Sequence, residues 1–218
     1  MIQMTPNKED YLKKIYELGG TDTKINNKEI VKGLEVSAAS VSEMMTKLLK
    51  EGFIERIPYQ GVQLTAEGLR KASILVRKHR LWEVFLVEHL GYSWNQVHEE
   101  AEILEHVSST ELTNRLEAYL DYPTVCPHGG MIPNKEGVLN EPPLQTLAEK
   151  KVNEKIVIKR VADQKDLLDY LVSVGVKVND EYTISDIGAY EGPITIEKGQ
   201  ASIPISFKAA TSIYVEAI

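Results

Sequence analysis

Ser37–Leu49 reads SAASVSEMMTKLL, and after Gly52 the chain continues as FIERIPYQGVQLT from Phe53 to Thr65. Two periodicities follow one another here. Val41, Met44, Met45, Leu48 and Leu49 recur at i, i+3, i+4, i+7 and i+8, one face of an amphipathic helix that Ser37 caps and Gly52 ends. Residues 53–57 and 62–65 then read as two short strands joined by the turn Pro58-Tyr59-Gln60-Gly61. Upstream, Thr5-Pro6 marks a helix start, with Tyr11, Leu12, Ile15, Tyr16 and Leu18 at helical spacing and Gly19-Gly20 as the stop. Asn26 and Glu29 form a capping-box pattern for a short helix ending near Leu34. Helix, short helix, turn, longer helix and hairpin is the order of a winged helix-turn-helix.

Outward from this segment, a helical pattern runs from Thr65 to about Leu90, with Ile74, Leu75, Leu81, Val84, Phe85 and Leu90 as expected core. Ser93 is expected to cap a helix carrying Val97, Ala101, Leu104 and Val107, and Glu111–Leu120 gives another. A Pro/Gly-punctuated stretch, 121–143, holds Cys126-Pro127-His128-Gly129. Beyond a short helix expected at Leu144–Ala148, residues 155–160 alternate, 165–174 read as helix, and β-rich runs follow at 182–184, 193–196 and 202–205. The expected organisation is three domains: 1–70 winged helix, 71–143 helical, and 144–218 a small β domain. The fold class is mainly α with small β.

The 218 residues carry 43 % hydrophobic side chains and a net charge of −7. That charge is uneven. Residues 1–70 hold 10 basic and 10 acidic side chains, 71–143 hold 6 and 11, and 144–218 hold 9 and 11. The acidic middle calls for cations, while a neutral first domain is compatible with nucleic acid, since only the docking face must be positive. No apolar run is long enough to cross a membrane, and one cysteine, Cys126, provides no internal disulfide. The expectation is a cytoplasmic protein without membrane contact.

A helix that enters the major groove needs small hydrogen-bonding residues at its N-terminal end. Ser37, Ala38, Ala39, Ser40, Ser42 and Glu43 meet that demand, with Lys47 further along and Lys28, Lys32 and Arg56 placed for phosphates. The bland alternative is a cap between two packing helices. Of five histidines, four fall beside carboxylates or the thiol. His79 and Glu83 are i, i+4; His98, Glu102, Glu105 and His106 are i, i+4, i+7 and i+8; Cys126 and His128 flank one proline. Acids and imidazoles so crowded repel unless a cation neutralises them, and an oxygen-rich set with imidazole suits Mn²⁺ or Fe²⁺. A solvated helix stripe is the competing reading of Glu99-Glu100-Ala101-Glu102.

Taken in order, Thr5–Leu12, Val36–Met44, Leu64–Gly68, Arg77–Glu83, His98–Glu102, Glu105-His106 and Cys126–Gly129 resemble the diphtheria-toxin-repressor type of metalloregulators, in particular its manganese-responsive members. The resemblance implies a homodimer of winged-helix repressors, a helical metal-binding and dimerisation domain, and an SH3-like C-terminal domain. It implies Mn²⁺ as corepressor, with Fe²⁺ the other candidate and Zn²⁺ or Cd²⁺ able to occupy the sites in vitro. One implied site is Asp10, Glu102, Glu105 and His106; the other is His79, Glu83 and His98, with Cys126 and His128 near it and Asp163 as a further ligand. Iron-type members carry sulfur ligands at the positions of Asp10 and Glu102, and many members have proline where Ala39 stands. The expected partner is palindromic double-stranded operator DNA upstream of metal-uptake genes, with no small organic substrate.

The rival readings of these residues are a winged-helix regulator of a non-metal ligand and a metal-dependent hydrolase. The chain has no HExxH, nucleophile elbow or glycine-rich phosphate loop, so nothing supports an enzyme.

Overall fold

A computed structural model describes residues 4–139 and 143–218. The chain divides into two compact units that do not follow its order: Met1–Leu81 with Glu102–Tyr119 and Ile132–Asn140, and Trp82–Ala101 with Leu120–Met131 and Glu141–Ile218.

The first unit begins with α1 (Pro6–Glu17), α2 (Asn27–Leu34) and α3 (Ala38–Lys50). Local sequence explains each start. Proline stands at the first turn of α1, where an N–H is dispensable. Asn26 and Glu29 make the reciprocal capping box of α2, and the Ser37 side chain accepts from the Ser40 amide at the head of α3. β1 (Ile54–Ile57) and β2 (Gly61–Leu64) pair antiparallel, Ile54 opposite Leu64, and Ile25 bridges to Val62 as a third edge. The core is Leu12, Ile15, Ile30, Val41, Met45, Leu48 and Ile54. α3 therefore buries its apolar stripe and leaves Ser37, Ala38, Ala39, Ser40, Ser42, Glu43 and Lys47 exposed. The long helix α4 (Ala66–Leu90) starts so close to β1 that a Cβ on Gly68 would meet the Phe53 carbonyl oxygen at 1.9 Å. α5 (Val97–Val107) and α6 (Thr110–Tyr119) follow.

The second unit carries a six-stranded antiparallel sheet of the SH3-like type. Its strands are β3 (Gln145–Thr146), β4 (Lys155–Val161), β5 (Glu181–Ile187), β6 (Ile194–Lys198), β7 (Ala201–Ile205) and β8 (Ile213–Ala217), in the spatial order β3-β8-β4-β5-β6-β7. β4 alternates until Ile158; a register shift before Arg160 then resets the pleat, so Val161 also points inward. Helix α7 (Lys165–Val174) supplies Leu167, Leu168 and Leu171 to the same core, and a single turn, α8 (Phe207–Ala210), precedes β8.

Four expectations change. Residues 144–148 are not a helix: β3 pairs with β8, and a 3₁₀ turn (Leu147–Glu149) follows, stabilised by a Thr146–Glu149 capping box. Ser93 precedes a turn rather than the helix itself; its hydroxyl donates to Gln96, and α5 starts at Val97. Leu90, the last residue of α4, is 56 % exposed, and Val107, at the end of α5, is 75 % exposed. Both stand at helix ends, where the apolar stripe runs past the surface that covers it.

The loop bearing Cys126 and His128 is fixed to β4. The Val161 amide donates to the His128 carbonyl at 2.9 Å, and Gly129 has φ +82° with the Lys159 carbonyl 1.9 Å from where a Cβ would stand. Gly129→Ala is expected to lower stability by roughly 2–4 kcal/mol through left-handed strain and overpacking. Urea unfolding of metal-free protein measures this; a loss under about 0.5 kcal/mol would show that the loop gives way freely.

Candidate metal centres

In the first unit, α1 presents Glu9, Asp10 and Lys13 to α5. Asp10, Glu102, Glu105 and His106 each offer a ligand atom, all within 4.8 Å of one another. Glu105 has no exposed surface, and its Oε1 accepts no hydrogen bond among the described residues; His106 Nε2 is 3.7 Å away. Asp10 Oδ1 lies 2.9 Å from the same Nε2. The other ring nitrogen of His106 is 2.7 Å from Glu9 Oε2. A ring whose Nδ1–H donates to Glu9 turns Nε2 toward the carboxylates, the orientation a metal ligand needs. Burial pushes the Asp10 carboxyl above its ordinary pKa; His106 and Lys13 oppose that rise, while Glu102 and Glu105 reinforce it. Three carboxylates and one imidazole, with a buried acceptor lone pair to spare, fit a hard divalent cation.

Sequence reasoning missed Lys13 and Glu9. Lys13 is buried, its Nζ 2.5 Å from Glu102 Oε1, 2.8 Å from Glu105 Oε2 and 3.0 Å from His79 Nδ1. Burial disfavours its charge, yet Glu105, Glu102 and Glu17 outweigh that and hold it above the ordinary lysine value. The available signal was a lysine between Leu12 and Ile15 on the apolar face, three residues after Asp10. His79 itself is buried, with Nδ1 2.6 Å from Glu105 Oε2.

The second unit brings Glu83, Cys126 and His128 together, again with ligand atoms within 4.8 Å, and all three are buried. His128 Nε2 donates to the Trp94 carbonyl at 2.6 Å, which leaves Nδ1 facing Glu83 Oε1 at 3.0 Å. Burial disfavours the charged ring, but Glu83, Cys126 and Asp163 prevail and push His128 up to about 11. Asp163 Oδ1 is 3.7 Å from His128 Nδ1, and its Oδ2 is 2.8 Å from His98 Nδ1. Thiol, imidazole and carboxylate together make a softer donor set than the Asp10 cluster. The helical stripe read from sequence therefore parts: His98 sits with Asp163, whereas Glu102, Glu105 and His106 sit with Asp10.

On the exposed face of α3, Ser42 Oγ donates to the Ala38 carbonyl and Thr46 Oγ1 to that of Ser42. Lys47 Nζ pairs with Glu43 at 2.7 Å, an exposed contact it must loosen to meet a phosphate. Lys28, Lys32 and Arg56 are exposed as well.

Glu105→Ala would strand the buried Lys13 ammonium without its most buried partner. Breaking a pair of this kind costs about 3–5 kcal/mol. Chemical denaturation in EDTA should show that loss, with a smaller one for Glu105→Gln. A change below about 1 kcal/mol would mean that solvent reaches the pair.

Residues 3–62 match the iron dependent repressor, N-terminal DNA binding domain; 65–134 match the iron dependent repressor, metal binding and dimerisation domain; and 145–217 match the FeoA domain. The iron-dependent repressor IdeR of Mycobacterium leprae is 28 % identical over 231 residues, covering 100 % of both chains. The structure of the manganese regulator SloR is 44 % identical, with a TM-score of 0.86 over 99 % of this chain and 100 % of that one. The crystal structure of ScaR with bound Zn²⁺ is 45 % identical, with a TM-score of 0.88 over 98 % and 100 %. The order of elements, the carboxylate–imidazole cluster joining α1 to α5 and these matches agree: the chain belongs to the iron-dependent, diphtheria-toxin-repressor family of metal-dependent, DNA-binding transcriptional repressors, which are regulators rather than enzymes.

Proposed function

We propose that Mn²⁺ is the corepressor of this protein and that Asp10, Glu102, Glu105 and His106 hold the activating ion. The observation that carries the reading is the approach of Asp10, on the first helix of the DNA-binding segment, to three donors on α5. None of the four is a sulfur ligand, which favours Mn²⁺ over softer ions, though Fe²⁺ shares much of this preference and Zn²⁺ or Cd²⁺ would bind such donors in vitro. A bound ion supplies the positive charge that three gathered carboxylates require. The protein's part is geometric: Glu9 sets the His106 ring, Glu105 keeps a buried oxygen ready, and Asp10 closes the set only when α1 lies against α5. Binding thus favours that arrangement over others. A 100-fold gain in DNA affinity needs only ~2.7 kcal/mol of coupling.

Glu83, Cys126 and His128 make the second proposed site, with His98 and Asp163 beside it and His79 one turn before Glu83 on α4. The proposed domain limits are 1–70, 71–143 and 144–218, supported by family matches over 3–62, 65–134 and 145–217. For DNA, Ser37, Ala38, Ala39, Ser40, Ser42 and Glu43 on the exposed face of α3 would read bases, with Lys28 and Lys47 on phosphates. A homodimer would place two such helices about one turn apart on a palindromic operator upstream of metal-uptake genes. Ile103, Val107 and Leu112, exposed at 63 %, 75 % and 46 %, give α5 and α6 an apolar surface suited to that dimer.

Fluorescence anisotropy with DNA upstream of candidate metal-transport genes tests the reading. Binding should be sequence-selective with Mn²⁺ and at least about 100-fold weaker in EDTA. Asp10→Ala should lose the metal response yet keep its circular dichroism. Equal binding in EDTA and Mn²⁺, or a normal response in Asp10→Ala, would contradict it.

A further inference from the structure

A buried ammonium, that of Lys13, stands beside the Asp10 cluster. Lys13 Nζ touches a carboxylate oxygen of Glu102, one of Glu105 and the Nδ1 of His79, at 2.5, 2.8 and 3.0 Å. Two carboxylates and an imidazole around one point are themselves a cation site, and here a tethered monovalent cation fills it. Glu105 shows how the two positions are divided. Its Oε2 faces Lys13, while its Oε1 accepts no hydrogen bond among the described residues and lies on the side of His106 Nε2. One carboxylate thus stands between the Lys13 ammonium and the His106 imidazole. Glu102 likewise belongs to the cluster and to Lys13.

We propose that Lys13 is a built-in counter-cation that fills a second cation position beside the metal site, so that the Asp10 cluster takes one divalent ion and needs a higher metal concentration to load. The inference rests on the assignment of the ion to Asp10, Glu102, Glu105 and His106. Charge sets the effect. Lys13 neutralises two of the carboxylates that an incoming ion would use, and a positive charge one carboxylate away from that ion repels it in a buried setting, where screening by water is weak. The same contacts tie Lys13 on α1 to Glu102 and Glu105 on α5 and so order those two carboxylates. The chain gives up metal affinity for that order. Lys13 therefore sets a threshold and belongs to the sensor although it is no ligand.

Mn²⁺ titration followed by electron paramagnetic resonance of the free ion, on the full chain, tests this. The binding step that disappears in Asp10→Ala identifies the cluster. In Lys13→Met, which keeps the length and loses the charge, that step should tighten about ten-fold or more. Its melting temperature in EDTA should fall while the rise on adding Mn²⁺ grows. Lys13→Gln, which can still hydrogen-bond to the carboxylates, should move the same way and serves if the methionine variant does not fold. An unchanged or weaker step in a folded Lys13 variant overturns the proposal. If instead no Mn²⁺ binding step is lost in Asp10→Ala, the site assignment is overturned, so the two failures are distinct.

Discussion

Glu105 is the group on which the rest depends. It is a carboxylate with no exposed surface, in a helix that also carries Glu102 and His106, and such a group is tolerable only where cations face it. Lys13 answers one of its oxygens and the other is left toward Asp10 and His106. Because Lys13, Asp10 and Glu9 all stand on α1, satisfying Glu105 means seating the first helix of the winged-helix segment on α5. Electrostatic need and domain geometry are one constraint here. α3 is packed onto α1 through the shared core of Leu12, Ile15, Met45 and Leu48, so whatever settles α1 also settles α3.

The second cluster obeys a different logic. Glu83 and His128 are both buried and 3.0 Å apart, and the loop that carries His128 is stapled to β4 by a backbone hydrogen bond and by the absence of a side chain on Gly129. His128 is oriented from its far nitrogen by the Trp94 carbonyl, and Trp94 packs against the core of the β domain. Its ring direction is thus an output of the C-terminal fold. That gives the SH3-like domain a structural part in shaping the proposed second site, with Asp163, just beyond β4, reaching the same ring and His98.

Much of this was legible in the residues. The i, i+3, i+4 stripe of α3, its Ser37 cap and the hairpin after it define the winged helix without tertiary information, because each of those signals is local. The donor types also announced a metal chemistry. Spacing could not say that His98 would leave the stripe of Glu102, Glu105 and His106, since both sets lie on one helix and only the partners that pack against each end separate them. Glu9 and Lys13 escaped for a related reason. A charged residue on a helix reads as solvated until a buried countercharge, nearly a hundred positions away, is known to meet it. The two-residue strand at Gln145 was invisible because its only support is pairing with β8 at the far end of the chain.

Anomalous diffraction at the manganese absorption edge, from crystals of the Mn²⁺-loaded protein, measures most directly whether the α1–α5 cluster is the sensor. The account predicts a peak enclosed by Asp10, Glu102, Glu105 and His106, with the Lys13 ammonium still beside Glu105. A peak confined to the Glu83, Cys126 and His128 cluster, with no density at Asp10, would contradict it.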